Sequence, residues 1–345
     1  MMDLPETRYY GSKRKLVGKI YQALLDNDVR FDSFLDLFGG TGIVSYYMLS
    51  KGKEVIYNDI FSFNCQIAKA LLQRPTTMIT PDMVLSLLKA KQDKIYKSFI
   101  HDNFSGIYYT DEENALIDIA VQNIHDLPSE YVPSAYYILF QSCICKRPFN
   151  LFHRSNLNLR LNHCESSFGN FVTWSRSFEE LFLRFYNELN KYSLSSDSRV
   201  KVSNCSALSC DENAELVYID TPYFSEHGSN ISYHSRYHFL EGLMHYADVP
   251  KNINREKKNL EITINKNRQF ESRAAFLQEL DMLIDKYKQC KIAISYTSSG
   301  FPSVMEIETL LRKYKTDVRV ISLGKYKFAL NKNNSNREEV LIIGK

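Results

Sequence analysis

The 345 residues are enough for one large or two ordinary domains, and 44% hydrophobic with 24% charged residues makes a sizeable core possible. A net charge of +3 does not mark a nucleic-acid binder as a whole, so any such surface has to be local. Seven scattered cysteines without a Cys-x-x-Cys pair, no apolar leader in Met1 to Gly11 and no 18-residue apolar run point to reduced thiols and the cytoplasm, with neither a zinc knuckle nor a membrane span expected.

In chain order, the first expected feature is Arg8-Tyr9-Tyr10-Gly11-Ser12-Lys13. A lysine on a small-residue turn suits a ligand carboxylate, although a solvated basic segment has the same composition. Two short apolar strands follow, Phe34–Phe38 and Glu54–Tyr57. Between them lie Gly39-Gly40-Thr41-Gly42 and a helical pattern through Val44, Tyr47 and Met48. This strand–loop–helix–strand unit opens a doubly wound α/β sheet. Glycines after a strand let backbone amides approach a ligand, and the next helix offers its positive end. Asp59 closes the second strand, where an acid binds ribose hydroxyls. These features fit NAD and S-adenosylmethionine equally.

Residues 61–195 read as mostly helical. Pro81 opens one helix, with Val84, Leu87, Leu88 and Ile95 on one side. Leu116, Ile117, Ala120 and Ile124 mark a second, Pro133 starts a third, and Phe178, Leu181, Phe182, Phe185 and Leu189 define a fourth. The stretch Lys146 to Trp174 has no period. From Gln141 to Arg176 there are five Lys/Arg and one acid, Glu165, interleaved with Asn, His and aromatic residues. Cations near phosphates and amides at base edges make a nucleic-acid pattern, and Arg147, Asn150, His153, Arg154, Asn156 and Arg160 are the expected DNA contacts.

Residues 196–345 return to strands: Leu216–Asp220, Lys291–Tyr296, Val318–Leu323 and Glu339–Ile343, with a helix near 271–288 and a polar hairpin loop over Asn331–Asn336. The expected division is a catalytic domain from 1–60 and 196–345, interrupted by a helical insertion over 61–195. Asp220-Thr221-Pro222-Tyr223 carries the most chemistry. Asp220 and the Pro222 carbonyl can each accept one N–H of an amino group on a flat ring, and Tyr223 can stack on that ring, although an ordinary strand-to-turn junction has the same residues.

Taken together, Tyr9-Tyr10-Gly11-Ser12-Lys13, Asp36-Leu37-Phe38-Gly39-Gly40-Thr41-Gly42, Asn58-Asp59 and Asp220-Thr221-Pro222-Tyr223 resemble, in that order, the Dam-like, alpha-type adenine DNA methyltransferases. Arg147-Pro148-Phe149-Asn150-Leu151-Phe152-His153-Arg154 with Phe168-Gly169-Asn170 looks like the restriction-modification branch of that class. The resemblance implies a Rossmann-like, class I methyltransferase sheet with a helical target-recognition insertion. It implies an S-adenosylmethionine site of Tyr9, Lys13, Asp36, Phe38, Gly39, Gly40, Thr41, Gly42, Asp59 and Asp220. Catalysis would fall to Asp220, Pro222 and Tyr223, acting on double-stranded DNA, without a metal, and in company with a cognate restriction endonuclease. Two departures stand out. Thr221 replaces the family's first proline, and Asn204-Cys205-Ser206 stands where an acid is often found, which leaves one cofactor contact unassigned. The rival readings are methylation of the cytosine 4-amino group, a nicotinamide oxidoreductase using the same glycine loop, and a catalytically dead DNA-binding module. No proline is followed by cysteine, which argues against thiolate attack on a cytosine ring.

Overall fold

The structure is a computed structural model that describes residues 3–73, 78–161, 171–194, 199–222, 224–225, 232–264, 267–325 and 338–345. Tyr223, Phe168-Gly169-Asn170 and the Asn331–Asn336 run lie outside the described residues. The chain divides into two compact units.

The first unit comprises Met1–Ala68, Asp197–Ser232 and Asn267–Lys345. Its strands are β1 (Ser33–Asp36), β2 (Glu54–Asn58), β3 (Val200–Ser203), β4 (Leu216–Ile219), β5 (Phe224–Ser225), β6 (Lys291–Thr297), β7 (Gly300–Phe301), β8 (Val318–Lys325) and β9 (Glu338–Gly344). Among the described residues seven of them form one sheet in the order β3-β2-β1-β4-β6-β9-β8, and β5 pairs with β7 separately. β3, β2, β1, β4 and β6 run parallel, and β9 is antiparallel to both β6 and β8. All four residues of β4 are buried, as expected of a central parallel strand covered on both faces. Leu35, Val217, Ile219, Ile292 and Ile294 form a core with Phe276, Leu280, Leu283 and Ile284 of the helix Phe276–Lys286 and Ile307, Leu310 and Leu311 of the helix Val304–Leu311.

This strand order fixes where a ligand can sit. From β1 the sheet continues to β2 and β3 on one side and to β4 and β6 on the other. Such a reversal leaves a crevice outside the carboxyl ends of the strands. The ends of β1 and β4 lead directly into Leu37–Gly42 and Asp220.

The second unit comprises Lys69–Ser196 and Tyr233–Lys266. Its longer helices match the periodicities read above, whereas the helix opened by Pro81 ends at Ser86, and Ile95 lies beyond it, exposed. Asp111–His125 and Phe178–Tyr192 each begin with a capping box, Thr110 with Glu113 and Ser177 with Glu180. Val132–Cys145 is buried nearly all round, so it is the central helix of this unit.

The division differs from the expected one over 233–266, which the sequence reading kept with the sheet. Aromatic packing binds this segment to the helices. Phe239 stacks on Phe152 at 5.1 Å and meets Phe104 edge-on at 5.4 Å. The Tyr108 hydroxyl lies 2.8 Å from the Phe152 carbonyl, 2.6 Å from that of Asn259 and 2.9 Å from His238 Nε2.

Candidate active site

At the end of β1 the chain turns sharply. Gly39 N–H donates to the Asn58 carbonyl at 2.8 Å, and Gly42 N–H donates to that of Gly39 at 2.8 Å. Gly40 and Gly42 have φ of +50° and +71°, a left-handed backbone that favours glycine. Gly39 is required for another reason: a Cβ there would lie 2.1 Å from the Tyr57 ring. The Tyr57 hydroxyl donates to the Gly40 carbonyl at 2.7 Å and braces the loop from β2. The helix Ile43–Ser50 begins immediately after the loop, with Gly42 as its N-cap.

Asp59 lies just beyond β2 and is buried. One of its oxygens accepts the Gly40 N–H at 2.8 Å and the other the Phe61 N–H at 2.8 Å. A carboxylate oxygen has two lone pairs, so Asp59 shapes the loop and keeps acceptor capacity for ligand hydroxyls. Asn204 donates to the Asp59 carbonyl at 2.8 Å and accepts the Ser62 hydroxyl at 2.9 Å, which makes it a brace for this corner. Tyr9 is half-buried; its hydroxyl accepts from Asn64 at 3.4 Å, and its ring is 3.6 Å from where a Gly40 Cβ would sit. Phe38 and Thr41 are half-buried too, and the Phe38 ring meets Phe270 edge-on at 5.2 Å.

Acids dominate the electrostatics. Asp36 is 1% exposed and accepts the Ser45 hydroxyl at 2.8 Å. Burial pushes its carboxyl up to about 7, and the charges of Asp220 and Asp59 add to the rise. Asp220 emerges from β4 with Oδ1 2.9 Å from Lys13 Nζ. Burial raises its carboxyl as well, while the Lys13 ammonium holds it down. Lys13, expected to hold a ligand carboxylate, is thus ion-paired with Asp220. Glu339, which the sequence reading passed over as a site residue, places Oε2 3.8 Å from the same ammonium. Thr221 is buried and Pro222 half-buried.

In the second unit the expected DNA contacts separate. Arg147 and Arg160 were expected at a phosphate-facing surface, and burial corrects this. Arg147 is 1% exposed. Its guanidinium lies 4.5 Å from the Tyr108 ring centre and 5.5 Å from that of Phe152. It donates to the carbonyls of Leu151, Tyr108 and Arg154 at 3.2, 3.4 and 2.6 Å. Burial lowers its pKa to about 10. Arg160 is 7% exposed and is bound to Glu113, which also meets Lys146 at 2.7 Å. Arg154 is exposed, and Asn150, His153 and Asn156 are half-buried. Asn150 and Asn156 have φ of +60° and +52°, so both also serve the turns. Burial, then the charges of Arg236, Arg154 and Arg147, push His153 down to about 4, so it is neutral at physiological pH.

Among the described residues there is no group of three or more His, Cys, Asp or Glu that would hold a metal ion, and no helix long and apolar enough to cross a membrane.

A seven-stranded mixed sheet with a glycine loop after its first strand and a carboxylate after its fourth is consistent with a methyltransferase fold. The family model of the D12 class of N6 adenine-specific DNA methyltransferases matches residues 9–281, and the chain belongs to that family. It is 25% identical to the modification methylase StsI of Streptococcus sanguinis, over 96% of this chain and 50% of that protein. It is 24% identical to the type II methyltransferase M2.HphI of Haemophilus parahaemolyticus, over 98% of this chain and 97% of that protein. To the modification methylase LlaI of Lactococcus lactis subsp. lactis it is 24% identical, over 96% of this chain and 53% of that protein. The chain thus spans about half the length of StsI and LlaI and nearly all of M2.HphI. Membership in the adenine-specific family favours neither the cytosine nor the nicotinamide reading.

Proposed function

We propose that the chain is the modification enzyme of a restriction-modification system, acting in the cytoplasm, which transfers a methyl group from S-adenosylmethionine to the 6-amino group of adenine in double-stranded DNA. A restriction endonuclease of the same target sequence is then its natural companion. The sheet unit is the Rossmann-like catalytic domain, and the helical unit recognises the target. The observation that carries the reading is the placement of Asp220 at the end of β4, paired with Lys13 and close enough to Asp36 for the two charges to interact.

The residues fit the cofactor by charge and by shape. Asp36, Asp59 and Asp220 outnumber Lys13; burial raises the carboxyls of Asp36 and Asp220, and the charges of Asp220 and Asp59 add to the rise at Asp36, which marks an excess of acid. A sulfonium and an ammonium would relieve it. The glycine loop, kept open by residues without a Cβ, would admit the ligand backbone, with Asp59 toward the ribose and Tyr9 and Phe38 alongside. When bound, the cofactor supplies an electrophilic methyl group on sulfur.

The chain's own groups do the rest. The target adenine leaves the duplex at a cost of a few kcal/mol, and Tyr223 stacks on it. Asp220 and the Pro222 carbonyl each accept one amino hydrogen. This turns the nitrogen lone pair out of ring conjugation and toward the methyl group. With the cofactor bound, that lone pair would take the methyl carbon while the C–S electron pair stays on sulfur, and the proton the nitrogen sheds would pass to Asp220, which already accepts its hydrogen bond. Placement and the Asp220 charge on the developing cation lower the barrier. Arg154, Asn150, His153 and Asn156 remain the proposed DNA contacts.

Calorimetry tests the cofactor assignment. Asp36 retains a proton up to about pH 7 in the free protein, and a bound cation favours its ionised form. Binding therefore releases protons, and affinity for S-adenosylmethionine rises with pH up to about 7, by at most about tenfold per pH unit for one proton. S-adenosylhomocysteine, without the sulfonium charge, releases less. Tighter binding of NAD than of S-adenosylmethionine would refute the assignment.

A further inference from the structure

Glu339 occupies a position that packing alone does not explain. It lies at the start of β9, is 1% exposed, and faces Thr297 across β6 and Gly324, which has no side chain, across β8. Neither of its carboxylate oxygens has a hydrogen-bond partner among the described residues. A buried carboxylate left in that state is costly, and an uncharged side chain of similar size avoids the cost. The Lys13 ammonium lies 3.8 Å from it, the same group that meets Asp220 at 2.9 Å. Other charged groups around the cluster are Asp36 on the Asp220 side and Lys19, whose Nζ lies 3.5 Å from the place a Gly324 Cβ would take. The Ser295, Thr297 and Tyr218 hydroxyls are buried polar neighbours on β6 and β4.

Two carboxylates thus share one lysine, unequally. While Lys13 holds Asp220 Oδ1, part of the acceptor needed by the target amino group is occupied. Displacing the ammonium from Asp220 with no other acid beside it would strand a buried cation. A shift of roughly 1 Å brings Lys13 to charge-assisted bonding distance of Glu339. We propose that Glu339 is a positioning residue for methyl transfer, a second counter-ion that takes Lys13 from Asp220 as the adenine amino group arrives. The inference rests on the reading of Asp220 as the amino-group acceptor.

Burial raises the Glu339 carboxyl, Lys13 lowers it and Asp220 raises it further. Only the ionised form can receive Lys13, so the rate falls as pH drops through the coupled titration of the two acids. Glu339→Gln keeps the shape and removes the charge. The single-turnover rate is expected to fall roughly 10- to 100-fold, with cofactor affinity held within about twofold. The acid limb of the rate–pH profile should also change from two ionisations to one and move to lower pH, because the carboxyl that burial and Asp220 raise is gone. Glu339→Asp, which keeps the charge on a shorter arm, should recover part of the rate and the two-proton limb. An unaltered rate in Glu339→Gln overturns the inference. So does a reduced rate with the acid limb unmoved and no recovery in Glu339→Asp, which assigns Glu339 to packing. Full activity in Asp220→Ala would remove the acceptor reading itself. Loss of activity in Asp220→Ala with normal Glu339→Gln overturns only the role given to Glu339.

Discussion

Replacing Asp220 by Ala is expected to lower the methyl-transfer rate by on the order of a thousandfold, while S-adenosylmethionine affinity stays within a few-fold. The oxygen lost is the one that accepts an amino hydrogen and faces the nitrogen as it becomes cationic. The contact matters little before that moment, so ground-state binding is largely spared. The fold should survive, because Lys13 keeps Glu339 as a counter-ion 3.8 Å away and is not left alone in a buried site. Asp220→Asn tests charge against shape: it preserves the outline and lowers the rate, since an amide is a weaker acceptor. Single-turnover assays with excess enzyme separate this from changes in product release. A rate within tenfold of wild type in Asp220→Ala would remove Asp220 from the mechanism.

The second large effect concerns stability. Arg147→Ala is expected to destabilise the helical unit by about 3–5 kcal/mol. The guanidinium satisfies three backbone carbonyls and packs against Tyr108 and Phe152, and truncation leaves both the acceptors and the space unfilled. The midpoint of denaturant unfolding measures this loss. Arg154→Ala should behave in the opposite way. Its side chain is exposed, so stability changes little, but the salt dependence of DNA binding flattens by about one unit of slope if it meets a phosphate. Equal stability of the two variants would mean that the Arg147 contacts contribute nothing to the fold.

These two residues also mark what sequence reading resolves and what it does not. Apolar periodicity depends only on local order, so β1, β2, β4 and β6 and the helices Asp111–His125, Val132–Cys145 and Phe178–Tyr192 were legible. The glycine loop was legible from residue type instead. Its left-handed φ values and its tight contact with Tyr57 admit little but glycine. β3 was not, because only Val200 of its four residues is buried and the pattern is too short to show a period. The packing of 233–266 with the helices depends on contacts more than 80 residues away, such as Phe152 with Phe239, which no local window contains. Charge was the least legible property. Arg147 and Arg154 look alike in a basic stretch, yet one caps buried carbonyls and the other faces solvent. Glu339 reads as the polar first residue of an apolar strand, and only the fold brings it to Lys13 and Asp220.

The most direct test of the central claim is mass spectrometry of nucleosides from duplex DNA treated with the purified protein and S-adenosylmethionine carrying a labelled methyl group. The label is expected on N6 of deoxyadenosine, at one sequence context, and absent with Asp220→Ala. Label on the 4-amino group of deoxycytidine, or none on DNA while the protein binds the cofactor, would contradict the assignment.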